Sequence, residues 1–107
     1  MTEALDATAQ TLADLVQYQE GAIVSRILIK NSAGSVTAFA FAAGQSLSEH
    51  TVPFDALVQL LDGEADITIA GRPHHLAAGQ VIVMPANQPH AVRAATPFKM
   101  LLTMLRS

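Results

Sequence analysis

The chain is 107 residues long, half of them apolar and 14% charged, with nine acidic and six basic side chains and a formal net charge of -3. That length confines it to one domain around one core, and its scattered basic residues (Arg26, Lys30, Arg72, Arg93, Lys99 and Arg106) offer no stripe to neutralise phosphates, which argues against nucleic acid as a partner. There is no cysteine, so disulfides, thiolate chemistry and sulfur ligands are excluded, and a metal would have to be held by histidine, carboxylate or amide groups.

In chain order, the opening MTEALDATAQ is acidic and polar where a signal peptide would be basic and then apolar, and no later run is long enough to cross a bilayer. The expectation is a cytoplasmic protein without membrane contact. Residues 1–21 form a lead-in carrying Leu5, Leu12, Leu15 and Val16, with Thr11 placed to cap a short helix over 12–17. From residue 22 onward the pattern is that of strands. AIVSRILIK (22–30) is rich in β-branched residues, NSAG (31–34) is a turn cluster, and SVTAFAFAA (35–43) alternates, so the two strands are expected to form a hairpin.

Beyond Gly44, LSEHT is a short strand interrupted at Pro53, which lacks a ladder donor. FDALVQLL (54–61) is extended, Asp62-Gly63 is a turn signal, and EADITIA (64–70) sets Ala65, Ile67 and Ile69 against Asp66 and Thr68. After the turns at 71–73 and 77–80, strands are expected over 81–85, 90–95 and 98–105. Many short strands with frequent turn signals and almost no helix predict an all-β sandwich or barrel, and a jelly roll is the closed form that best protects its edges. So apolar a composition in so small a domain also predicts that one face is covered by a second copy, giving a homodimer.

Two blocks carry the chemistry. GQSLSEHTVPFDALVQLLDG (44–63) and GQVIVMPANQPH (79–90) each open on Gly-Gln and deliver a histidine, His50 and His90. They resemble the two motifs of the cupin superfamily, G-x5-H-x-H-x3-E-x6-G and G-x5-P-x-G-x2-H-x3-N. Gly44, His50 and Gly63 match the first, and Gly79, Pro85 and His90 match the second. Val52 and Ala56 stand where the second histidine and the glutamate would be, and Asn87 and Ala94 replace the inner glycine and final asparagine. Asn87 is a mild change, because asparagine tolerates the left-handed conformation.

The resemblance runs over residues 22–106 and implies a small one-barrel cupin with a jelly-roll double-stranded β-helix, residues 22–107 forming the barrel domain. It implies that His50 and His90 face one hollow at the barrel mouth, as ligands of one divalent metal (zinc, iron or nickel). With half the ligand set replaced, Asp55, Glu49 and Gln59 are the residues that could make up the deficit, and Asp55 and Glu49 are the weak candidates for a catalytic base. The pocket is expected to involve His50, Gln59, Met84, His90, Phe41 and Met100. Two functions follow as expectations. The first is a module that binds a small organic molecule in the barrel, with the histidines as hydrogen-bonding groups or weak metal ligands; the second is a metal-dependent enzyme of the oxygenase or isomerase type. His74 and His75 point to opposite faces of a strand and cannot chelate together, His74 being expected half-buried and His75 solvated. Ser48, His50 and Asp55 lack the glycine pattern and oxyanion hole of a hydrolase.

Overall fold

The structure is a computed structural model and describes residues 7–106. Leu5 and the first turn of the lead-in lie outside the described residues. Eight antiparallel strands follow one another: β1 (Ile23–Asn31), β2 (Gly34–Phe41), β3 (Ser46–His50), β4 (Asp55–Ile69), β5 (Arg72–Ala77), β6 (Val81–Met84), β7 (His90–Arg93) and β8 (Phe98–Leu105). They make two facing layers. In the first, called sheet A below, the pairings run β1-β2-β8-β4-β6; in the second, sheet B, they run β5-β4-β7-β3. This is the all-β, curled jelly-roll arrangement expected from the turn spacing.

β4 belongs to both layers. Asp62-Gly63 is not a turn between two strands. The 15-residue strand runs through it, its N-terminal half in sheet A and its C-terminal half in sheet B. Between Leu60, opposite Met100, and Asp62, opposite Lys99, one extra residue is inserted. The insertion shifts the alternation: Ala56, Val58 and Leu60 are buried before it, and Ala65, Ile67 and Ile69 after it. A bulge of this kind lets one strand bend from layer to layer while keeping apolar side chains inward. Gly63 is required at the bend. Its φ is +75°, and a Cβ there would run into the backbone carbonyl of Pro97 and the backbone of Phe98.

The core between the layers is built on Phe41, Val58, Ile67, Phe98 and Met100, with Phe41 and Phe98 stacked at 4.5 Å between ring centroids. The β1–β2 hairpin closes as expected: Asn31 pairs with Gly34, and the Asn31 side chain accepts the Ala33 amide at 2.8 Å. The hairpin between β4 and β5 turns instead at Ala70-Gly71, both with positive φ, one position earlier than the expected 71–73. Asn87 has φ +64°, the left-handed conformation for which asparagine is suited.

The helix expected over 12–17 is a single 3-10 turn, Leu12–Asp14, and Thr11 caps it with no side-chain hydrogen bond. Tertiary contacts decide this segment. Val16 is buried against Ala38 and Ala40 on the outer face of sheet A. Lys99, almost fully buried, donates to the carbonyl of Ala13 at 2.6 Å and lies 5.0 Å from the centre of the Tyr18 ring. The Tyr18 hydroxyl donates to Asp62 at 2.5 Å, and burial, followed by that hydrogen bond, pushes the phenol pKa up. Residues 13–18 are thus strapped to the barrel as a cover.

Candidate functional site

β3 and β7 pair at the edge of sheet B, and the first motif's histidine reaches the second through a defect in that pairing. Ser46 stands opposite Arg93 and Leu47 opposite Val92, yet His50, not Glu49, stands opposite His90. One extra residue therefore sits on β3 between Leu47 and His50. In unbroken alternation Glu49 would share the inward face of Leu47; the bulge turns Glu49 out and His50 in. The His50 ring closes that bulge by donating from Nδ1 to the carbonyl of Ser48 at 2.9 Å.

The two rings meet edge to face, with centroids 4.3 Å apart and planes at 64°. His90 is 4% exposed, whereas His50 is exposed, so the pair spans the border between core and solvent. His90 donates from Nδ1 to the carbonyl of Gln88 at 3.3 Å. A carbonyl oxygen only accepts, so Nδ1 carries the proton of each neutral ring and Nε2 is left as an acceptor. Burial holds the His90 pKa below its ordinary value; the Gln88 carbonyl works against this, and the charge that His50 would carry adds to it.

Both rings line a cavity of about 50 Å³ between the layers, open toward solvent on the side of the exposed His50. Leu47, Val52 and Val92 share its wall with them, and Ala56, Met84, Met100, Leu102 and Met104 close it from sheet A. Of the residues expected at the pocket, His50, His90, Met84 and Met100 are brought together here. Gln59 is not: β4 turns Ala56, Val58 and Leu60 inward, so Gln59 faces out beside Leu101 and Val81. Phe41 is spent on the stack with Phe98 and does not line the cavity. Asp55 also lies on the outward face of β4, where its carboxylate accepts the Ala86 amide at 2.9 Å and so anchors the loop between β6 and β7. That loop is tied a second time by the Asn87 amide, which donates to the carbonyl of Val52 at 2.8 Å.

Val52 and Ala56, at the two altered motif positions, supply aliphatic wall where the motif would supply donors. Among the described residues there is no cluster of three or more His, Cys, Asp or Glu side chains arranged to hold an ion. Divalent zinc takes three or four protein donors, and this hollow offers two imidazole nitrogens. The donor set does not complete a metal centre from this chain alone. Sequence reasoning passed over Leu47, Val92 and Leu102; the alternation of Val92 with His90, and of Leu102 with Met100, is the signal that places the latter two on the same inward faces.

His74 and His75 sit on opposite faces of β5, as expected, but His74 is exposed and not half-buried, because β5 is an edge strand paired only with β4. His75 is held on the outer face of sheet B between two carboxylates, Nδ1 at 2.8 Å from Asp66 and Nε2 at 2.6 Å from Glu64. Those two hydrogen bonds, Asp66's the larger, raise its pKa.

A cupin domain model matches residues 38–104, which is more than half of the chain, and the protein belongs to the cupin family. Among solved structures it is similar to a conserved protein of unknown function from Streptococcus pyogenes, 37% identical over 94% of this chain and 89% of that one, with a TM-score of 0.90. A cupin superfamily protein from Desulfitobacterium hafniense is 32% identical over 94% and 93% of the two chains, with a TM-score of 0.89. A cupin 2 conserved barrel domain protein from Leptotrichia buccalis is 44% identical over 89% of this chain but 46% of its own, so the present chain spans just under half of that protein. No curated relative matches the sequence.

Proposed function

We propose that this cupin is a binding module for a small organic molecule, which it grips through a hydrogen-bond-donating end placed against His50 and His90. The observation that carries this reading is the matched tethering of the rings: each Nδ1 is committed to a main-chain carbonyl. Two unprotonated Nε2 atoms at the rim of an otherwise apolar hollow suit a ligand hydroxyl or amine. The cavity volume, about 50 Å³, admits such a group or a water and not a whole metabolite, so the body of the ligand rests outside. An isomerase or oxygenase reading is less well supported, because Asp55 is engaged with the Ala86 amide and Glu49 is turned out by the bulge.

The test is protein-observed NMR with phenol and with anisole, which has no donor, on the parent and on His50→Ala and His90→Ala. Phenol is expected to perturb Val92 and Met100 in the parent more strongly than anisole does, and neither variant is expected to keep that preference. Equal responses to the two probes, or variants that behave like the parent, refute it. Elemental analysis of protein purified without added metal separates the readings: near-stoichiometric metal lost in both variants would favour the metal-dependent alternative.

We also infer that a second copy covers the outer face of sheet A. Registers place Ile29, Val36, Thr103, Leu57 and Val83 side by side across five strands, a row roughly 19 Å wide. Ile29 and Val83 are 60% and 55% exposed, and Val81 and Leu105, in the rows beside them, 57% and 58%. Val16 covers the neighbouring Ala38 and Ala40, while Ile29 and Val83 at the two ends of the row are exposed and Val36, Thr103 and Leu57 between them are half-buried. Together the rows expose on the order of several hundred Å², the range a standard interface takes from each partner, and aligned sheet packing is the geometry that would bury them.

A further inference from the structure

The inner face of sheet A continues past the edge of sheet B, and there it forms a second hollow that the histidines do not reach. It has a volume of about 290 Å³. Ile27, Thr37, Phe54 and Met104 make its floor and walls, and Lys30 and Arg106 stand at its rim. Met104 is also part of the smaller cavity between the histidines, so the two hollows share one wall.

Its charge sets it apart. The chain carries six basic residues against nine acidic ones, yet two of the six line this hollow and no aspartate or glutamate does. Among the described residues neither Lys30 nor Arg106 forms an ion pair; the ion pairs present are those of His75. The guanidinium of Arg106 lies 5.2 Å from the centre of the Phe54 ring, and the Arg106 amide donates to the carbonyl of Ala33 at 2.9 Å, so the strand end that carries it is held against the β1–β2 turn. Arginine stacked on an aromatic ring is oriented while its remaining donors stay available, and guanidinium geometry suits a carboxylate.

We propose that this hollow is a binding site for a small organic anion, its carboxylate between Lys30 and Arg106 and its apolar body against Phe54, Ile27 and Met104. The volume suits a fragment-sized ligand, at the lower end of the range for small-molecule sites. Apart from Met104, which lines both hollows, the inference uses none of the residues of the His50–His90 reading, so either can fail alone, and Thr37 and Ile27 are the reporters that tell them apart.

The test titrates the full chain with benzoate and with isosteric, neutral benzamide, following amide and methyl signals by NMR. Benzoate is expected to move Thr37, Ile27 and Met104 and to bind about tenfold more tightly than benzamide, the preference two partly exposed charge contacts can supply. The preference should shrink as sodium chloride is raised. The variant Lys30→Gln/Arg106→Gln, both changes at exposed positions, should keep a dispersed spectrum and bind the two probes equally. Equal affinities in the parent, a preference retained in the double variant, or shifts centred on His50 and His90 each overturn the assignment.

Discussion

Gly63→Ala is expected to damage this barrel far more than Gly44→Ala, although both glycines have similar positive φ, +75° and +83°. Leaving the left-handed region to a side chain costs about 1–2 kcal/mol at either position, partly offset by about 0.4–1 kcal/mol from the stiffer unfolded chain. The surroundings then separate them. At Gly44 an added Cβ meets nothing within 4 Å. At Gly63 it would overlap the carbonyl of Pro97 and come within 3.0 Å of Phe98 Cα and 3.1 Å of Phe98 Cβ. These are backbone and branch-point atoms that cannot swing aside, so β4 and β8 must part where β4 crosses between layers, at a further cost of about 1–3 kcal/mol. The sum for Gly63→Ala is roughly 2–4 kcal/mol, against about 1 kcal/mol or less for Gly44→Ala. The assay is urea unfolding of both variants beside the parent at one protein concentration, since self-association would shift the midpoint. With a slope of about 1–3 kcal/mol/M, the two midpoints should differ by about 1 M. Midpoints that agree within error would refute the claim that the glycine is demanded by the crossing and not merely by its dihedral.

Burial holds the His90 pKa below the ordinary 6.5, so the unfolded chain takes up a proton there before the folded one does. Stability should therefore fall as pH drops below about 6.5, and His90→Gln should flatten that slope in urea midpoints taken from pH 8 to 5. His75 has the opposite sign: its raised pKa means that its contribution is present below 6.5 and lost as pH rises through the folded value, and an NMR titration of its ring should show a lower midpoint in Asp66→Asn. Lys99→Leu removes the donor to the Ala13 carbonyl and should cost about 1–3 kcal/mol, with hydrogen exchange rising over residues 12–18 ahead of the barrel strands. Sedimentation should show a dimer for the parent and a monomer for Ile29→Glu/Val83→Glu; a monomeric parent would remove the proposed interface.

Most of the architecture was legible because strand alternation is a local property. Ala65, Ile67 and Ile69 read as one face and are one face, all three buried. The β1–β2 hairpin was visible in its turn residues, and Asn87 in its tolerance of a left-handed backbone. The failures are of another kind. Asp62-Gly63 has the composition of a hairpin turn, and the dipeptide alone does not distinguish a reversal from a bulge; what decides is Phe98, 35 residues later, packed against the missing side chain. The expected helix failed for a similar reason. Its propensity was overridden by Lys99 and by the alanine face of β2, neither of which is near residues 12–17 in sequence.

The site exposes the same limit more sharply. Counting along β3 from Leu47 in steps of two reaches Glu49, and a sheet built on that count would place a carboxylate, not an imidazole, opposite His90. Motif spacing nonetheless pointed to His50, because a motif embodies a bulge that alternation cannot see. For Asp55 and Gln59 to make up the ligand set, β4 would need a bulge like that of β3; instead both share the outward face of an unbroken stretch of β4, where no extra residue turns them inward. At this spacing of residues the meeting of the two rings therefore depends on a single inserted backbone unit in β3. Deleting Ser48 would restore regular pairing with Glu49 opposite Ala91 and His50 still opposite His90, so the deletion is expected to keep both imidazoles in the hollow and to lose only the tether of His50 Nδ1 to the Ser48 carbonyl.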